Sequence, residues 1–255
     1  MLAETRRKQI LTQINTDGQV STDTLAEKLE VSVETIRRDL GVLEKRSALT
    51  RVHGGAMRLP ITSVAHESPY RERSLENAAQ KYRIGAYVAA SLPAKATIFL
   101  DIGTTVEAVV AALPENFHGT FITTSLRIGM ELARLPHAEV LTSGGRIRHD
   151  ELSMSGPAAS EFLINFHPDI AVISVGALKA NTGITDYDFE EVQLKKIVMQ
   201  NAAKSYVVAD SSKIGKVAPY GFCPVDIPHA IITDEKLSSA EASRLEKAGA
   251  NLIIA

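Results

Sequence analysis

From Thr97 onward the chain carries seven short apolar runs, and these constrain its fold more than any other feature. They are Thr97 to Leu100, Thr120 to Ile122, Glu139 to Leu141, Ile170 to Val175, Tyr206 to Ala209, Ala230 to Ile232 and Leu252 to Ile254. Most end in Gly, Asp, Ser or Thr, and most are separated by helix-length stretches such as Leu126 to Arg134, Glu190 to Ala203 and Ser238 to Ala248. Strands apolar on both faces and alternating with helices predict a parallel sheet covered on both sides, an α/β architecture. In such sheets a ligand lies beyond the carboxyl ends of the strands, so the residues just after each run are the ones to inspect.

The first such turn is Asp101-Ile102-Gly103-Thr104-Thr105, between the run ending at Leu100 and a helix expected to begin near Val106. Gly103 lets backbone approach a ligand closely, amides at a helix start favour an anion, and the threonine hydroxyls add donors. Phosphate suits this turn. Asp101 is better suited to sugar hydroxyls, because a carboxylate facing phosphate would repel it. The alternative is a plain capped helix start. Related chemistry follows other runs: Thr123-Thr124-Ser125, Ser143-Gly144-Gly145-Arg146, Ser174-Val175-Gly176 and Asp210-Ser211-Ser212-Lys213. Lys213, directly after a strand and two serines, can reach a phosphate as a point charge. Lys195 shares an amphipathic stretch with Val192, Ile197 and Val198 and reads as a surface charge. Neither Gly-x-Gly-x-x-Gly nor the nucleotide P-loop pattern occurs, which disfavours dinucleotides and nucleoside triphosphates.

The amino-terminal stretch follows a different rhythm. Ala3 to Thr16 predicts a helix with Ile10, Leu11 and Ile14 inward, and Ser21 caps a second with Leu25, Ala26 and Leu29 inward. Ser32 caps a third, SVETIRRDL. With Ile36 set inward, Val33, Leu40 and Leu43 share its side, while Glu34, Arg38, Gly41 and Lys45 lie opposite and Thr35 and Arg37 flank them. Asp39 points back toward the core. One face thus presents a hydroxyl, two guanidinium groups and an ammonium, which suits phosphates and base edges in a major groove. Leu49 to Leu59 alternates and turns at Gly54-Gly55, as a β-hairpin wing would, with Arg51 and His53 placed for backbone contacts. Three helices and a wing make a winged helix-turn-helix with the third helix as reader.

A length of 255 residues suits one small and one larger unit. The net charge of -2 hides a mild asymmetry: residues 1–60 hold ten Lys or Arg against eight Asp or Glu, and the remainder eighteen against twenty-two. Binding to nucleic acid must therefore rest on placed residues and on doubling by an oligomer. The lone Cys223 excludes an internal disulfide and fits a reducing compartment. The seven histidines form no metal-type pairs, so neither a metal nor a cofactor is expected. The opening MLAETRRKQILTQI is charged and amphipathic in place of a leader, and no run approaches membrane-spanning length, so a cytoplasmic protein is expected.

Arg6, Ile10 and Ile14, followed by Ser32, Thr35, Ile36, Arg37, Arg38, Asp39 and Leu40, resemble the DNA-binding signature of the DeoR family of bacterial repressors. The wing RVHGGA is similar to that family's wing, and the second-domain motifs resemble its effector domain, whose fold is similar to that of ribose-5-phosphate isomerase. The resemblance runs from about Arg6 to Asp234. It implies a regulator of a sugar catabolic operon that binds a double-stranded operator as a homodimer or homotetramer and is released by a phosphorylated sugar. It further implies DNA contacts from Ser32, Thr35, Arg37, Arg38, Arg51 and His53. Asp101, Gly103, Thr104, Thr105, Thr124, Gly144, Gly145, Gly176 and Lys213 would line the effector pocket. Thr124 stands where Asn is common, and Gly183 to Asp188 only approximates the usual Gly-rich segment. The resulting domains are 3–58 for the winged helix-turn-helix (helix-turn-helix about 20–39), 59–74 for a linker and 75–255 for the α/β sensor. A competing reading makes the second domain an aldose-ketose isomerase, which needs a carboxylate base. Counting back from Asp210-Ser211-Ser212-Lys213, which resembles the corresponding isomerase segment, the base glutamate's place falls on Lys195, which favours binding without turnover.

Overall fold

Ile98 and Leu100 pack to one side of the strand Thr97–Leu100 and Phe99 to the other, and all three are buried. The same alternation recurs in Ile170–Ser174, where Val172 joins the first cluster and Ala171 and Ile173 the second. The computed structural model describes residues 3–45, 49–52, 54–57 and 67–255 and divides the chain into two units, Met1–Ala65 and His66–Ala255.

In the second unit seven strands form one sheet in the order Leu252–Ile254, Ala230–Thr233, Lys204–Val208, Ile170–Ser174, Thr97–Leu100, Gly119–Thr123, Ala138–Thr142. Every neighbouring pair is parallel. All seven apolar runs are strands of this sheet. The chain starts at Thr97–Leu100, builds outward through two strands on one side, then returns beside its starting strand and builds the other way. The order reverses between Thr97–Leu100 and Ile170–Ser174, which leaves a crevice beyond their carboxyl ends. Helices Ala78–Ser91, Thr104–Ala111 and Leu126–Leu132 cover one face, and Pro157–Leu163, Phe189–Asn201 and Ser239–Lys247 the other.

Some expectations are displaced. Ahead of the sheet stand two helices, Tyr70–Leu75 and Ala78–Ser91, separated where Asn77 takes a left-handed conformation (φ 53°). Residues 67–74, read as the end of the linker, pack with the second unit, since Tyr70 donates to Glu107 at 2.7 Å and Arg73 pairs with Glu151. Residues 59–66 of that linker lie outside the described ones. The first sheet-end helix begins at Thr104 and not near Val106. A small antiparallel sheet of Ala177–Lys179, Gly183–Asp186 and Tyr220–Cys223 has no apolar run to announce it.

The first unit packs three helices, α1 (Ala3–Asp17), α2 (Thr22–Lys28) and α3 (Val33–Lys45), around Ile10, Ile14, Leu25, Ile36, Leu40 and Leu43. Ser21 accepts the Thr24 amide at 3.0 Å, the expected cap of α2. Strands Thr50–Val52 and Gly55–Met57 pair antiparallel as the wing, and Gln19–Ser21 adds a third strand. Gly55 lies in a strand rather than in the turn: a Cβ there would sit 2.1 Å from the Val20 carbonyl oxygen, and this contact demands glycine.

Candidate functional site

The candidate reader face is the exposed side of α3. Ile36 and Leu40 are fully buried, and Glu34, Arg37 and Arg38 are exposed on the other side. Asp39 turns inward as expected and accepts from Arg6 Nε at 2.6 Å and Arg7 Nε at 2.8 Å, which ties the reader helix to α1. Ser32 caps α3 by accepting the Thr35 amide at 3.2 Å, and the two hydroxyls lie 2.8 Å apart. Both groups are thus engaged in the cap. Arg37 sits 3.6 Å from Glu34, an exposed pair of small energetic weight. Arg38 is exposed and forms no ion pair with another described residue. The Arg51 amide donates to Glu44 at 3.2 Å, and a Cβ on Gly41 would lie 3.9 Å from the Arg51 guanidinium, so wing and reader share one surface. His53 and the Lys45 side chain lie outside the described residues.

The crevice of the second unit opens where the strand order reverses, and counting its open mouth it holds about 600 Å³. Gly103, Thr104, Thr105, Gly176 and Lys213, all singled out from the sequence, line it together. Gly103 (φ 98°) precedes helix Thr104–Ala111 without any side-chain cap, so the first amides of that helix are left for a guest. A Cβ on Gly103 would reach 3.0 Å from Ser174 Oγ, and one on Gly176 2.7 Å from the Tyr187 ring; both glycines keep the walls close. Lys213 follows the capped turn in which Asp210 accepts from Ser212 and Asn77. Burial pushes its ammonium below the ordinary lysine value, with Asp210 drawing it partly back, and its Nζ has no partner among the described residues.

Four expected residues are not brought to the crevice wall. Asp101 lies beneath it, buried, accepting Ser174 N at 3.0 Å and pairing with Lys195 Nζ at 2.9 Å, so its carboxylate is already committed. Thr124 is buried and its carbonyl accepts the Met154 amide at 2.7 Å. Gly144 and Gly145 form the positive-φ turn into the hairpin of Arg146–Arg148 with Ser153–Ser155, where a Cβ on Gly145 would strike the Ser155 carbonyl at 2.5 Å.

Lys195 is the largest departure. It is 2% exposed and reaches Asp186 at 2.6 Å and the Ser174 carbonyl at 2.9 Å in addition to Asp101. Burial alone would lower its ammonium, but Asp101, Asp186 and Glu191 hold it above the ordinary lysine value. The signal was present: Lys195 falls three residues from both Val192 and Val198, on the buried stripe of helix Phe189–Asn201. Glu191 on the same stripe is held by Arg148 at 3.0 Å and Ser153 at 2.6 Å, and burial raises its carboxyl to about 7. Glu67, Arg73 and Lys81, from segments without an apolar run, complete the wall.

Residues 6–61 match the family of the DeoR-like helix-turn-helix domain, and residues 76–235 match the DeoR C-terminal sensor domain. The chain is 35% identical to the HTH-type transcriptional repressor CsqR of Escherichia coli (strain K12), over 98% of this chain and 94% of that protein. It is 31% identical to the glycerol-3-phosphate regulon repressor of the same organism, over 90% of each. Among solved structures, ribose 5-phosphate isomerase A from Methanocaldococcus jannaschii superposes with a TM-score of 0.41 and 19% identity, over 55% of each chain.

Proposed function

Because the chain belongs to the DeoR family of helix-turn-helix regulators, we propose that it is a DNA-binding transcriptional repressor whose second unit senses a phosphorylated sugar or a related metabolite. The reader helix supplies Arg37 and Arg38 to phosphates or base edges, with Arg51 from the wing on the same surface. In an even-numbered oligomer, two such faces meet successive major grooves.

The observation that carries the sensing half is the pairing of the uncapped helix start at Gly103-Thr104-Thr105 with the Lys213 ammonium, which has no partner among the described residues, at the sheet's reversal point. Backbone donors and a lysine ammonium on one wall suit one phosphate group. Turnover is not part of this reading. Lys195 occupies the place counted for a catalytic base and is committed to Asp101 and Asp186, and the nearby Glu191 spends Oε1 on both Arg148 and Ser153. Release of DNA requires the metabolite to bind one arrangement of the protein more tightly than the other.

Thermal-shift titration of the full chain with a panel of sugar phosphates and glycerol 3-phosphate tests this. At least one compound raises the melting temperature of the wild type, and Lys213→Ala weakens that compound by about tenfold or more. A panel in which nothing shifts the folded wild type removes the sensing assignment, and isomerisation of any member by the purified protein removes the non-enzymatic one.

A further inference from the structure

Glu67 is the first described residue after 58–66, and both oxygens of its side chain are held by arginines of the second unit. Its Oε1 lies 3.2 Å from Arg73 Nη2, and its Oε2 accepts from Arg148 Nη2. Each arginine also holds a carboxylate of its own: Arg73 pairs with Glu151 at 2.5 Å, and Arg148 with Glu191 at 3.0 Å. Two guanidinium groups therefore face three carboxylates, and Glu67 is the shared, surplus one. Its side chain is 15% exposed and that of Arg73 11%, so the pairs sit largely out of water, where competition between anions for one cation is strong.

The position of this cluster gives it a use. Glu67, Arg73 and Glu191 all line the crevice that also holds Lys213 and the Gly103 helix start. Residues 67–69 carry no helix or strand; besides the two ion pairs, Arg73 Nε donates to the Ser68 carbonyl at 2.9 Å, and the Pro69 carbonyl accepts the Glu72 and Arg73 amides at 3.0 and 3.1 Å. Arg73 thus grips both the side chain and the backbone of the strap that leads in from the first unit.

We propose that Glu67 is a built-in stand-in for the ligand's anionic group: an anion entering the crevice takes over Arg73, Glu67 leaves, and the strap is freed as far as Ser68, with Pro69 still held as the cap of the following helix. The exchange keeps each arginine paired, because Glu151 and Glu191 remain, and it moves the surplus carboxylate into water. An anion that left Glu67 in place would add negative charge to a cluster already one carboxylate in excess. This inference rests on the crevice being an anion site, as proposed above, and adds the residue through which occupancy is felt outside it.

The test compares full-length wild type with Glu67→Gln, using inorganic phosphate and glycerol 3-phosphate as probes. Calorimetric titration should show both probes binding about tenfold more tightly to Glu67→Gln, because the internal competitor has lost its charge. Hydrogen exchange in the peptide covering 67–75 should quicken in the wild type on adding either probe, and in Glu67→Gln it should be equally fast without one. Arg148→Gln, which frees one side of Glu67 without touching Arg73, guards against a folding artefact: its exchange should rise only partway. Equal affinities with unchanged exchange at 67–75 would overturn the inference while leaving the crevice assignment standing. Binding by neither protein would remove the crevice assignment, and this inference with it.

Discussion

Replacing Lys195 with methionine keeps most of the side-chain volume and deletes its charge. Asp101 and Asp186, whose side chains are 3% and 8% exposed, would then share a dry site with no cation between them. Removing one member of such a buried set costs about 3–5 kcal/mol, because the remaining charges are left uncompensated. For a unit of roughly 190 residues, each kcal/mol lowers the melting temperature by about 2–4 °C, so a fall of about 6–20 °C is expected. The pH dependence gives the effect a signature. In the wild type the Lys195 ammonium sits above its ordinary value of 10.5, so its stabilisation is complete below that pH and is lost only as pH climbs through the raised folded value. The ammonium itself therefore does not titrate between pH 5 and 9. In the variant the Asp101 carboxyl, which burial already raises in the wild type, also loses the ammonium that pulls it back down, so the folded state takes up a proton first and regains stability as pH falls. Scanning calorimetry on the full chain at pH 7 and pH 5 should show the gap to wild type narrowing at the lower pH. A variant whose second unit melts within about 2 °C of wild type at pH 7 would refute the account of Lys195 as the charge that holds the crevice floor.

Arg38→Ala should weaken operator binding measured by fluorescence anisotropy and, if the guanidinium meets phosphate alone, flatten the logarithmic salt dependence by about one unit; unchanged affinity would remove Arg38 from the reader face. Gly85→Ala should lower the melting temperature of the second unit, since a Cβ there would lie 2.5 Å from the Ala108 carbonyl group across two helices; overpacking of this kind costs about 1–3 kcal/mol. A wild-type melting curve for Gly85→Ala would show that the two helices separate freely.

The seven-stranded sheet was legible because a strand buried on both faces must be apolar at successive residues, and Ile170–Ser174 or Ala230–Thr233 announces itself. The caps were equally legible, since Ser21 and Ser32 precede polar first turns that need an acceptor. The turn residues Gly103, Thr104, Thr105, Gly176 and Lys213 could be gathered from the sequence because topology alone sends them to one end of the sheet. What escaped depends on pairing between distant residues. Lys195 looks like a surface charge until Asp101, ninety-four positions earlier, is seen to face it. The Glu67–Arg148 and Arg73–Glu151 pairs leave no periodic trace. Gly144 and Gly145 resemble a ligand cradle in sequence, yet their left-handed turn serves a hairpin beside the crevice.

The reversal of strand order also has a consequence for synthesis. The wing closes at Met57, whereas Thr97–Leu100 waits for a neighbour on one flank until Ser174 has been made, roughly 120 residues later. At ribosomal speeds of about 5–20 residues per second, that interval is on the order of 6–24 s. Throughout it, the emerging polypeptide carries the three helices and wing of its first unit and only part of its second.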